Sequence, residues 1–264
     1  MLLREVGLPP RGEGFPFDLP FLGTVRALGL SSPVTILVGE NGSGKSTLLE
    51  AVALASELPL VGSAQSGRLD PTLAAVTPLA DALRLVWSHR TRRGLFMRAQ
   101  DYFGFVNEQN RQKAQLTESL ASLRRESGHL PEAELRRISA PYSGSLQALE
   151  NRYGSDLDAL SHGESFLALF KGRITGKGVY LLDEPEAALS PSRQLALISL
   201  LKDAVGRGAQ FLLATHAPIL MAFPGADLLE LRDGDIIRTE FDELGHVQLL
   251  RDFLAAPEAY LRHL

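Results

Sequence analysis

The residues predict an α/β fold with a mainly parallel central sheet, an antiparallel side sheet and a helical insertion. Three observations carry this. Val34 to Val38 is a β-branched apolar run that ends at Gly39, and a glycine-rich loop leads from it into a nearly all-apolar helical run, Ser46 to Ala55. Val179 to Leu182 and Gln210 to Thr215 are two further apolar runs of strand length, with a helical segment from Pro191 to Val205 between them. Strands alternating with helices in this way build a parallel sheet, whose functional residues gather at the carboxyl ends of the strands.

The 264 residues are 45% hydrophobic and 22% charged, enough to bury a sizeable core in one domain over 1–264, with a helical lobe at 102–152 inside it. A net charge of -4 argues against a surface that is basic overall, so nucleic-acid binding would need a local patch. The absence of cysteine excludes disulfides, thiolate metal sites and a cysteine nucleophile, and suits a reducing compartment. MLLREVGLPPR reaches charge and proline too early for a secretory signal. The most apolar stretch, Ala209 to Phe223, is interrupted by Gln210, His216 and Pro218 and is shorter than the roughly 20 residues of a membrane span. A cytoplasmic protein with no span of its own is expected.

Further along, Gly62 to Pro78 is rich in Gly, Ser and Pro and reads as a surface loop. Leu83 to Trp87 and Gly94 to Arg98 flank the turn HRTRR and read as a hairpin of the side sheet. Asn107 to Glu126 reads as a lightly anchored surface helix, Gly128 as its break, and Pro131 to Ile138 as a second short helix. Ser190 is expected to cap the helix that starts at Pro191. Leu228 to Phe241 reads as a hairpin turning at Asp233 and Gly234, and 247–264 as closing helices broken before Pro257.

Four motifs carry the chemistry. GENGSGKS, Gly39 to Ser46, matches the phosphate-binding loop of P-loop nucleotide-binding folds in full: small residues let backbone N–H groups face phosphate oxygens, Lys45 reaches the β and γ oxygens, and the Ser46 hydroxyl binds Mg²⁺. Asn41, Gly42, Ser43, Gly44, Lys45, Ser46 and Thr47 are thus the candidate nucleotide contacts. In LLDEPE, adjacent carboxylates end a strand and point to opposite sides, so Asp183 suits Mg²⁺ and Glu184 suits the attacking water. LSHGES, Leu160 to Ser165, is the third motif, and ATH, Ala214 to His216, is the fourth.

In this order the set resembles the ATP-binding-cassette (ABC) ATPases. LSHGE is similar to that family's signature, and the resemblance implies that Ser161 and Gly163 contact the γ-phosphate bound on the opposite subunit. It also implies ATP and Mg²⁺ as cofactors, an ATP-dependent homodimer, and His216 as the switch histidine acting with Glu184 and Lys45 in catalysis. Gln100 is the candidate Q-loop glutamine at the metal, against the alternative of a surface glutamine at a helix start. Ala187-Ala188-Leu189-Ser190 departs from the family's usual Leu-Asp ending. DEPExxLSP and GENGSGKSTLLEA resemble the soluble SMC, RecF and OLD-like branch and a group of small bacterial ATPases more than transporter subunits.

Phe15, Phe17 and Phe21 offer a face to adenine or, alternatively, belong to the core. Arg84, His89, Arg90, Arg92, Arg93 and Arg98 are the candidate contacts for a DNA or RNA backbone, a solvated arginine-rich turn being the competing reading. Between Asn107 and Arg137 six basic and five acidic residues nearly balance, which suits a protein-docking face. Three functions stay open: ATP hydrolysis coupled to a partner or nucleic acid, as in DNA maintenance or defence; a subunit energising a membrane transporter; and a nucleotide-gated binding module with slow turnover.

Overall fold

A computed structural model describes residues 1–61, 70–153 and 162–262. Strands β1 (Leu3–Gly7) and β2 (Ala27–Gly29) precede β3 (Val34–Gly39) and helix α1 (Lys45–Ala55). Helix α2 (Thr77–Ala82), strands β4 (Arg84–Trp87) and β5 (Gly94–Arg98), and helices α3 (Ala99–Glu126), α4 (Glu132–Tyr153) and α5 (His162–Arg173) follow. The chain then runs through β6 (Gly178–Asp183), α6 (Pro191–Gly206), β7 (Ala209–Ala214), α7 (Pro218–Met221), β8 (Asp227–Arg232), β9 (Asp235–Thr239), α8 (Gly245–Ala255) and α9 (Pro257–Leu261).

A six-stranded sheet in the order β5-β6-β7-β3-β8-β9 is parallel except for the β8–β9 hairpin, and a separate antiparallel sheet runs β2-β1-β4. Alternate side chains of the large sheet feed two cores, as the two-residue period of a strand requires. Leu37, Phe96, Leu181 and Leu212 pack with α1, α2 and the small sheet on one face. Ile36, Met97, Leu182 and Leu213 pack with the helices on the other. With both faces covered, β3, β6 and β7 are apolar at nearly every position.

Gln210, the polar residue inside the apolar β7 stretch, is a structural tie. Its Oε1 accepts from the Leu2 and Leu3 N–H groups at 2.8 and 2.9 Å, and its Nε2 donates to the Leu3 carbonyl at 2.7 Å, fastening the small sheet to the large one. A run of aromatic contacts, Tyr102–Phe166–Phe170–Phe211–Tyr180, has centroid spacings of 5.1, 6.0, 6.5 and 5.3 Å and seats α3 and α5 on β6 and β7.

Several expectations are corrected. Leu83–Trp87 and Gly94–Arg98 do not form a hairpin. β4 joins β1 in the small sheet, whereas β5 lies parallel to β6 at the edge of the large one. The burial patterns show why, since β4 alternates and β5 is apolar and buried almost throughout. The part of Gly62–Pro78 from Asp70 onward is not a surface loop. Asp70 caps a 3-10 turn through the Thr72 N–H at 2.9 Å, and Leu73 and Val76 are buried beside α1. The second helix expected over Pro131–Ile138 extends to Tyr153, running on through Pro141. α3 and α4 fold back on one another, with α3 spanning about 42 Å at 1.5 Å per residue. The turn between β8 and β9 is as expected: Asp233 and Gly234 both have positive φ, 53° and 79°, the twist a two-residue hairpin demands.

Candidate functional site

The carboxyl ends of β3, β6 and β7 meet at one end of the large sheet, and the glycine loop, LLDEPE and ATH meet there with them. The loop turns into α1 through Gly44, whose φ is +96°; a Cβ at this position would lie 2.9 Å from both Leu19 and Phe21, so only glycine fits against those side chains. Lys45 is buried, and its Nζ donates to the carbonyls of Gly39 at 2.8 Å and Glu40 at 2.7 Å. Burial lowers its pKa, opposed by the negative charges of Glu184, Asp183 and Glu186. The ammonium is therefore held by loop carbonyls in a field of three carboxylates, where it can exchange those carbonyls for anionic oxygens.

Ser46 Oγ donates to Asp183 Oδ1 at 3.0 Å. Burial pushes the Asp183 carboxyl up to about 7; the Ser46 hydrogen bond lowers it, and the neighbouring Glu184, Glu50 and Glu186 add to the rise. A buried carboxylate beside a hydroxyl, with no ion pair of its own within 4 Å among the described residues, suits a divalent cation with hard oxygen ligands. No group of three or more His, Asp and Glu is arranged for a metal among the described residues, so the chain would supply these two oxygens and leave the remainder of a Mg²⁺ shell to phosphate and water.

Glu184 takes the left-handed conformation, φ 49° and ψ 50°, uncommon for a residue with a side chain, and its N–H donates to the Ala214 carbonyl at 2.9 Å. This turn brings Glu184 Oε1 to 3.8 Å from His216 Nε2. Sequence reasoning missed Glu186. Its Oε1 accepts from the His216 backbone N–H at 2.7 Å, and its Oε2 is buried without a hydrogen-bond partner among the described residues. A second acidic residue, two places beyond Glu184 and across Pro185, was the available signal.

Gly42 and Asn41 are exposed, and Ser43 and Thr47 are half-buried. Gly39, Glu40, Asn41, Gly42 and Ser43 line a cleft of about 890 Å³ whose other wall is His216, Glu230 and the β8–β9 turn. Phe21 is buried yet reaches this cleft, Phe17 packs against the core and Phe15 is 56% exposed, so the three phenylalanines form no common face. Gln100 is exposed in the first turn of α3, two residues beyond Arg98, which pairs in register with Asp183. Ser161 lies outside the described residues, and Gly163 is the second residue of α5. Ser190 occupies the cap position of α6, but its hydroxyl meets Ser192 Oγ at 3.1 Å rather than a backbone N–H.

Arg98 is removed from the candidate nucleic-acid patch. It is 4% exposed and bonded to Asp101 at 2.7 and 2.9 Å, Glu50 at 3.3 Å and Thr72 at 3.0 Å, an internal network joining α1, β5 and α3. Arg84, His89, Arg90, Arg92 and Arg93 are exposed.

Fold and site together define a phosphate-loop nucleotide-binding protein. Residues 15–71 match the family model "AAA domain", and residues 165–222 match "AAA domain, putative AbiEii toxin, Type IV TA system". The cobalt import ATP-binding protein CbiO of Salmonella typhimurium is 28% identical over 213 residues, which are 78% of this chain and 70% of that protein. The cytochrome c biogenesis ATP-binding export protein CcmA of Agrobacterium fabrum is 28% identical over 214 residues, 79% and 85% of the two chains. A solved Smc head domain of Pyrococcus furiosus, bound to the C-terminal domain of ScpA, aligns at a TM-score of 0.49 with 13% identity over 96% of this chain and 100% of that one. CbiO and CcmA are both ATP-binding proteins, and the chain is similar to them over more than three quarters of its length. No helix among the described residues is long and apolar enough to cross a membrane.

Proposed function

We propose that this protein is a Mg²⁺-dependent ATPase whose two copies associate head to tail with two ATPs between them, each copy's signature segment completing the other's site. One observation carries the reading: three distant segments meet where a terminal phosphate would lie, with Ser46 beside Asp183 and His216 beside Glu184. The N–H groups of 41–47 and Lys45 bind the phosphates, and Ser46 and Asp183 would hold the metal, with Gln100 as a further candidate ligand. Bound Mg²⁺ supplies charge neutralisation at the phosphoryl group. Glu184 orients the attacking water and takes its proton, and His216 holds Glu184 and the γ-phosphate in register. Ser161 and Gly163 of the second copy present the positive end of α5 to that phosphate. Catalysis rests on positioning and charge rather than covalent chemistry. Closure and opening of the pair drive a protein partner or nucleic acid through the α3–α4 lobe.

The similarity to the import protein CbiO and the export protein CcmA favours a second reading, in which the chain energises a separate membrane protein that imports or exports a solute. Both readings share the site and the paired copies. They separate on whether turnover is stimulated by nucleic acid or the chain co-purifies with an integral membrane partner. Glu184→Gln tests the chemistry: it should bind ATP, hydrolyse it about 100-fold or more slowly and accumulate as a dimer by light scattering. A monomer at saturating ATP would contradict the mechanism.

A further inference from the structure

At the opposite end of the large sheet, the amino ends of β5 and β6 open onto a second cavity of about 360 Å³. Two segments far apart in sequence bring cations to it: Arg92 and Arg93 from the approach to β5, and Arg173 and Lys177 from the end of α5 and the approach to β6. The backbone beneath them is fixed. Val179 N–H donates to the Arg93 carbonyl at 2.9 Å, and β5 passes so close to β6 that a Cβ at Gly94 would sit 1.7 Å from the Val179 carbonyl. Thr175 adds a hydroxyl, and Tyr180, its own hydroxyl bonded to the Gly176 carbonyl at 3.0 Å, forms the floor.

The charges are cancelled only in part. Arg92 pairs with Glu57 at 2.5 Å, which also reaches Arg90 at 3.5 Å, and Arg173 lies over the Phe105 ring at 5.3 Å. Among the described residues, Arg93 and Lys177 have no ion-pair partner. In a chain of net charge -4 this is a local concentration of positive charge with a shape. A guanidinium fork, an ammonium and a hydroxyl around one cavity match the oxygens of a phosphoryl group, and the volume is that of a small-molecule site rather than a duplex groove. The six residues of β6, at about 3.3 Å each, separate this cavity from Asp183, so it is not part of the nucleotide cleft.

We propose that this cavity is a second anion site that binds a phosphoryl group, with Arg93 and Lys177 as its principal contacts. The phosphoryl group belongs either to a free phosphorylated small molecule or to the backbone of single-stranded nucleic acid. The full chain carrying Lys45→Ala, which disables the glycine loop as a competing phosphate site, is titrated at low salt by calorimetry. The probes are inorganic pyrophosphate and, separately, a ten-nucleotide oligothymidylate. Binding of at least one is expected, weakened at least about tenfold by Arg93→Gln with Lys177→Gln and by a smaller factor in each single variant. Pyrophosphate binding assigns the small-molecule source, and binding of the oligonucleotide alone assigns the strand. An unchanged thermal midpoint shows that the variants fold. Absence of binding by both probes, or affinity that survives the double substitution, overturns the proposal.

Discussion

Glu186 ties the two sides of the nucleotide cleft together. By accepting the His216 N–H it fixes the backbone from which the histidine reaches toward Glu184, while its own second oxygen stays buried and its charge acts on both Asp183 and Lys45. Glu186→Ala releases the His216 backbone and should lower kcat by about tenfold or more with little change in ATP affinity; Glu186→Gln keeps an acceptor and should retain most of the rate. Steady-state kcat and KM of the two variants check this, and equal losses in both would assign the effect to charge rather than to the hydrogen bond. At this scale the sequence was informative wherever chemistry is local. Gly39 to Ser46 and Asp183-Glu184 are proposed as site residues from adjacent letters, and the structure brings Ser46 and Asp183 together. The Glu186–His216 bond spans 30 residues and has no local pattern. Arg98 misled for a related reason: charge can be counted from letters, whereas burial depends on Glu50 and Asp101 closing around it.

Elements were legible where period and flanks agreed. The three central strands, α1, α6 and the β8–β9 turn follow from apolar runs, a proline at a helix start and an Asp-Gly pair. β4 and β5 were joined in error because a short polar connection between two β-rich runs looks the same whether the strands pair or part. Only the nearly continuous burial of β5 marks it as a strand of the parallel sheet. The length of α4 was hidden by Pro141, which forfeits one helical hydrogen bond that the rest of a 22-residue helix absorbs. The elements around the site are coupled through Arg98, which reaches from the end of β5 to Glu50 on α1 and Asp101 on α3. Arg98→Ala strands two carboxylates in a buried setting and should destabilise the fold by about 3–5 kcal/mol. A change in unfolding free energy from denaturant titration of well under about 1 kcal/mol would show that the network contributes nothing.

Across the whole molecule, the large sheet separates two regions of opposite chemical character. Its carboxyl end gathers Lys45, Ser46, Asp183, Glu184 and His216, and its amino end gathers Arg93 and Lys177. α3 stands on the aromatic contacts that also carry α5, and α4 packs on both, so displacements of α5 and of the lobe share one footing. The proposed mechanism makes ATP hydrolysis the property of a pair of copies, with Ser161 and Gly163 proposed to act on the nucleotide held by their neighbour. The most direct test is specific ATPase activity measured over a wide range of protein concentration, with light scattering on the same samples. The account predicts activity per chain that rises with concentration and levels off as the dimer saturates. Constant activity per chain, down to concentrations at which only monomer is present, would contradict it.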